Sequence, residues 1–113
     1  MPGKKGNRVY GGIKFGTQKI TIGNFNVLEV EAGTNGLHDG DTGNGCRGYF
    51  RIEDTTGGAN FEIKPIYAYM DYPRTSGFSF KFGGDEELES VIAALKYITK
   101  VLEKQKNPPH GEE

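Results

Sequence analysis

The chain reads as a single α+β domain, a curved antiparallel sheet of five or six strands with one C-terminal amphipathic helix packed on one face. Three observations predict it. Phe78, Phe80 and Phe82 recur at period two, the spacing that sets side chains on one face of a strand. Gly83-Gly84 ends that strand, and behind Asp85-Glu86-Glu87 the residues Leu88, Val91, Ile92, Leu95, Ile98, Val101 and Leu102 fall at helical spacing. Of the 18 Gly, all but Gly111 precede residue 85, so turns and strands come first and the helix last.

The elements follow in order. Residues 1–7 are polar and Gly-rich and read as a flexible, slightly basic arm, with residues 8–104 as the domain and 105–113 as a frayed tail. Val9, Ile13 and Phe15 alternate among Gly11, Gly12 and Gly16, the pattern of a weak or bulged first strand. Lys19-Ile20-Thr21-Ile22 is a clearer one. Gly23-Asn24 suits a two-residue hairpin turn, because Gly tolerates the positive φ of the first central position. The next strand runs from about Phe25 to Ala32, with Leu28, Val30 and Ala32 on one face. After a Gly-rich loop over 34–45, alternation returns from Cys46 to Glu53, with Phe50 and Ile52 facing the core. Phe61 to about Met70 is a further strand, in which Pro65 demands an edge position or a bulge because it cannot donate to a ladder. Asp71 to Gly77 turns the chain into the Phe strand. In the helix, acids crowd the first turn and Lys96, Lys100, Lys104 and Lys106 the later ones, complementing the macrodipole.

Charge and composition exclude several classes. With 113 residues there is room for one domain, and a net charge of −1 is far from the strongly basic balance of a duplex-DNA binder. Residues 1–84 hold ten Lys/Arg against eight Asp/Glu, and residues 85–113 four against seven. The lone Cys46 cannot form an internal disulfide, no secretory signal opens the chain, and no apolar run spans a bilayer, so a reducing, cytoplasmic location is expected and no membrane partner.

No motif specifies a reaction. Gly43-Asn44-Gly45-Cys46-Arg47-Gly48 matches G-x-G-x-x-G in spacing but precedes a strand, whereas phosphate binding needs a helix N-terminus there. Asp39, Asp41 and Asn44 lack the Gly and bidentate Glu of a calcium loop. Cys46 and His38 have no orienting third residue, and one Cys with two His gives no zinc cluster. No catalytic residue, metal ligand or cofactor is therefore assigned. A small-molecule or enzymatic site in the 34–48 loop, around His38 and Asp41, is the third of three functional readings.

The first reading is a non-catalytic binding domain for single-stranded nucleic acid. Period two sets Arg47, Tyr49, Arg51 and Lys81 opposite the Phe face, with Lys19, Lys64 and Tyr10 as possible neighbours. Rings stack on bases and cations follow phosphates. Glu29, Glu31, Glu53 and Glu62 are expected on the same face. The second reading is a protein–protein or homo-oligomerisation module, which Tyr67, Tyr69 and Tyr72 would suit. The stretch FSFKFGGDEELESVIAALKYITKVL, under a quarter of the chain, resembles in layout the Whirly/PUR group of single-stranded-DNA-binding proteins. That resemblance implies a sheet closed by one C-terminal helix and an open face for nucleic acid.

Overall fold

A computed structural model describes residues 3–23, 27–36, 46–57, 60–68 and 74–106. Strands β1 (Lys4–Tyr10), β2 (Ile13–Ile22), β3 (Leu28–Thr34) and β4 (Gly48–Asp54) form an antiparallel meander. Strands β5 (Glu62–Ala68) and β6 (Arg74–Lys81) form a separate two-stranded sheet, and helix α1 (Asp85–Lys106) follows. The α+β class and the antiparallel pairing are as the sequence implied. The six strands are divided between two sheets, and the Phe strand does not extend the meander. Pro65 and a bulge between Ile66 and Tyr67 deprive β5 of a regular ladder.

The segment read as one weak strand through Val9, Ile13 and Phe15 is instead a hairpin, with β1 ending at Tyr10 and β2 beginning at Ile13. Residues 4–7, expected in a flexible arm, pair with β2, from Lys4 opposite Lys19 to Tyr10 opposite Ile13. Gly11 and Gly12 close the hairpin with φ of 58° and 80°. Positive φ at both central residues is the type I′ geometry whose twist suits flanking strands. The second connection is longer than Gly23-Asn24 implied, since Ile22 pairs with Leu28 and leaves five residues between them. Phe25, placed in a strand by the sequence, lies outside the described residues.

Leu28, Val30 and Ala32 of β3 are buried against Ala94, Ile98 and Val101 of α1, with Ile20, Ile22, Ile52, Phe61, Tyr97 and Leu102 around them. Ala94 at the centre of the seam lets the helix approach the strand closely. Thr34 N–H donates to Gln105 Oε1 at 2.8 Å, fixing the far end of the helix over the end of β3. The buried stripe on α1 is Val91, Ala94, Ile98 and Val101. It is narrower than the seven-residue face in the sequence: Leu88, Ile92 and Leu95 stay 40–48% exposed.

Geometry explains the remainder. Four strands at about 4.8 Å spacing make a wider layer than one helix of about 10–12 Å diameter can cover. The helix sits on β3 and touches β2 and β4, so both margins of this face remain outside it. Substituting buried Ala94 by Asp should abolish the cooperative thermal transition, since an unpaired charge would enter the seam at a cost of several kcal/mol. Leu95→Asp, one position on, should leave a folded chain with a shift of about 1 kcal/mol or less.

Candidate functional site

Two surfaces compete for a role. The first is the sheet face opposite the helix. Register places Arg8 and Tyr10 of β1, Phe15, Thr17 and Lys19 of β2, Glu29 and Glu31 of β3, and Tyr49, Arg51 and Glu53 of β4 there. Of the four residues proposed for nucleic acid, Tyr49 and Arg51 therefore share this face. Arg47 precedes β4 at the base of the 34–48 loop, where Asn35 N–H donates to its carbonyl at 3.2 Å. Lys81 belongs to the other sheet, with its ammonium 3.7 Å from Glu62. Lys64 lies on that hairpin too, 3.5 Å from the same carboxylate. His38 and Asp41 lie outside the described residues, as do Asp39, Asn44, Tyr69 and Tyr72.

Most charges of this face are paired with one another. Arg8 Nη2 and Nε both donate to Glu31 Oε1, at 2.6 and 3.2 Å, while the Thr17 hydroxyl donates to Oε2 at 2.6 Å. Glu31 is only 3% exposed although no helix covers it. Burial by itself would raise its pKa, but the hydrogen bonds from Arg8 and Thr17 and the nearby positive charges hold it below the usual carboxylate value. Lys19 lies 3.6 Å from Glu29, and Arg51 reaches Glu29 at 3.1 Å and also Glu53. Three cations and three carboxylates thus form a balanced lattice. Periodicity set these carboxylates on the same face as the cations, and cross-strand register decides which cation each one pairs with.

Aromatic rings occupy one end of the face. Phe15 stacks on Tyr49 with centroids 5.9 Å apart, and Tyr49 meets Tyr10 at 5.8 Å. The rings converge because Gly33, between Thr17 and Tyr49, offers no side chain. A Cβ at Gly33 would stand 2.5 Å from the Gly16 carbonyl oxygen, so the close passage of β2 requires glycine there.

The second surface is an apolar trough on the helix side, beyond the β4 margin. Leu102 borders a cavity with Cys46 and Gly48, which sets that flank of α1 against β4. Leu95 and Leu88 precede Leu102 by one and two heptads and share its flank, since a heptad drifts only about 20° around a helix. Phe50 lies on the same side of β4 but is 45% exposed, and its ring meets Phe78 of β6 at 6.4 Å. Ile63 and Pro65 flank Phe78 and Phe80 across the hairpin. Phe80 packs on Phe61 and Phe82, whereas Ile63 and Phe78 are more than half exposed. The sequence marked Leu88, Leu95, Phe50 and Phe78 as core, because periodicity gives the apolar faces without showing that one helix is too narrow to cover them.

Cys46, at the base of the 34–48 loop, is exposed. Among the described residues, no three potential metal ligands converge, and no helix is long and apolar enough to cross a membrane. No known protein family, curated protein or solved structure matches the chain.

The Glu31 site gives a pH prediction. Its folded-state pKa lies below the unfolded value near 4.5, so its contribution to stability is complete above that value and is lost as pH falls through the lower one. In Glu31→Gln, denaturant midpoints recorded between neutral and acid pH should lose this part of the acid-side decline. An unchanged slope would mean that Glu31 carries no such linkage.

Proposed function

We propose that this chain is a non-catalytic interaction domain that acts as a dimer of itself, closing the trough formed by α1, β4 and the β5–β6 hairpin. The supporting observation is the exposure of Phe50, Ile63, Phe78, Leu88, Ile92 and Leu95, of which Phe50 and Phe78 meet at 6.4 Å, Leu88 and Leu95 share the α1 flank that faces β4, and Ile92 adjoins them on the helix surface. Six side chains of this size, each about half exposed, leave on the order of 500 Å² of apolar surface in water, near the top of the range of ~300–600 Å² for the largest patch on a monomer. Pairing two such surfaces would bury about 1,000 Å², the lower bound for a specific interface. A second copy suits the trough, because a two-fold contact sets each chain's apolar side chains against the same set on its partner.

Light scattering at 10–100 µM should report twice the chain mass for the native protein, and a monomer mass for Leu95→Asp and for Phe78→Ser with their folds retained. A native chain that stays monomeric throughout that range would refute the dimer.

Tyr10 and Tyr49, which pack at one end of the sheet beside the buried Phe15, support a second reading, single-stranded nucleic acid on the opposite face. Binding there would exchange the Arg51–Glu29 and Arg8–Glu31 pairs for phosphate contacts, which makes it weak and steeply salt-dependent. An oligothymidylate titration at low salt should then show affinity that falls at least tenfold in Tyr49→Ala with Arg51→Ala. Absence of binding at about 100 µM would remove this reading.

A further inference from the structure

The opposite margin, where α1 leaves β1 uncovered, has a different chemistry. Two adjoining cavities of about 340 Å³ each occupy the angle between the β1–β2 hairpin and the C-terminal half of α1. Both border Gln18 and Gln105, so they form one elongated cleft. Lys5 and Asn7 line it from β1, and Tyr97, Lys100 and Lys104 from α1. These positions agree with the register, which sets Lys5 opposite Gln18.

Every charged side chain bordering the cleft among the described residues is a lysine. Lys100 and Lys104 are one helical turn apart, about 6 Å along the axis, and both border the cavity that Tyr97 shares. The other polar groups are amides and a phenol, which can donate to an anion without contributing charge. Burial raises the Tyr97 pKa, so its hydroxyl stays protonated and able to donate at neutral pH. The surrounding chain has the same sign. Residues 1–28 hold Lys4, Lys5, Arg8, Lys14 and Lys19 and no Asp or Glu. The ion pairs that neutralise Arg8 and Lys19 lie on the other side of the sheet. Among the described residues Lys5, Lys100 and Lys104 make no ion pair.

We propose that this cleft binds a multivalent phosphate anion, held by Lys5 on one wall and by Lys100 and Lys104 on the other, with Gln18, Asn7 and the Tyr97 hydroxyl as neutral donors. The volume suits a small phosphorylated molecule or a short run of phosphodiester. The shared chemistry is two or more phosphate groups at a spacing of several ångströms. Monovalent anions gain little, because one charge cannot reach both walls.

The test uses the full chain with two probes, inorganic tripolyphosphate and an oligothymidylate, each followed by calorimetric titration at low salt and by the shift in melting temperature. Tripolyphosphate should bind and raise the melting temperature, and chloride at equal ionic strength should not reproduce the shift. Lys100→Ala with Lys104→Ala should weaken binding at least tenfold, and Gln18→Glu, which brings a carboxylate into the cleft, should do the same. Lys64→Ala, on the separate β5–β6 hairpin, should leave binding unchanged. A tighter response to tripolyphosphate identifies a small phosphorylated ligand; a tighter response to the oligonucleotide, lost in the Lys100/Lys104 variant and retained in Tyr49→Ala, identifies a nucleic-acid backbone. No response to either probe at 5 mM, or binding undiminished in both cleft variants, overturns the proposal.

Discussion

The structure depends on the seam between β3 and α1. Leu28, Val30 and Ala32 meet Ala94, Ile98 and Val101 there, and these six side chains are nearly inaccessible to water. The full burial of three such residues on each side supplies much of the apolar contact that a chain with only 35% hydrophobic residues can gather. With the helix committed to β3, the two margins of the sheet are left outside the packed layer. Both candidate binding surfaces on the helix side follow from that one commitment.

The margins differ because their sequences differ. Beside β4 the helix presents Leu88 and Leu95, β4 presents Phe50, and the hairpin presents Ile63 and Phe78, which together make an apolar trough. Beside β1 the facing groups are lysines, amides and a phenol. Two surfaces of opposite character, on opposite flanks of one helix, could be engaged together without competing. A dimer closed through the trough leaves the cationic cleft and the opposite sheet face accessible. Aromatic anchors such as Phe50 and Phe78 favour protein contact, and lysines bordering one cleft favour phosphate.

How much of this was legible in the sequence depends on the range of the interaction. The helix, its acidic start and the alternation of Leu28, Val30 and Ala32 are local patterns, and the structure has them. The Gly11-Gly12 turn was missed: two adjacent glycines between alternating segments suit a type I′ turn, but the weak hydrophobicity of residues 4–10 hid the first strand and left the pair inside one weak strand. Arg51 looked available from β4 alone. Its engagement with Glu29 and Glu53 depends on the pairing of β3 with β4, and the burial of Glu31 on the register of three strands. The separation of β5 and β6 from the main sheet was hidden for the same reason, because period two shows faces and leaves partners unspecified. Lys5 and Lys104 are about a hundred residues apart, and only the crossing of α1 over the sheet brings them to one cleft.

Hydroxyl-radical footprinting of dilute and concentrated protein, read residue by residue by mass spectrometry, tests the central claim most directly. Oxidation of Phe50, Phe78, Leu88 and Leu95 should fall as concentration rises, while Tyr10 on the opposite face stays as reactive as before. Protection that gathers at Tyr10 and Tyr49, or reactivity of the trough that is indifferent to concentration, would contradict a dimer closed through the margin that the helix leaves bare.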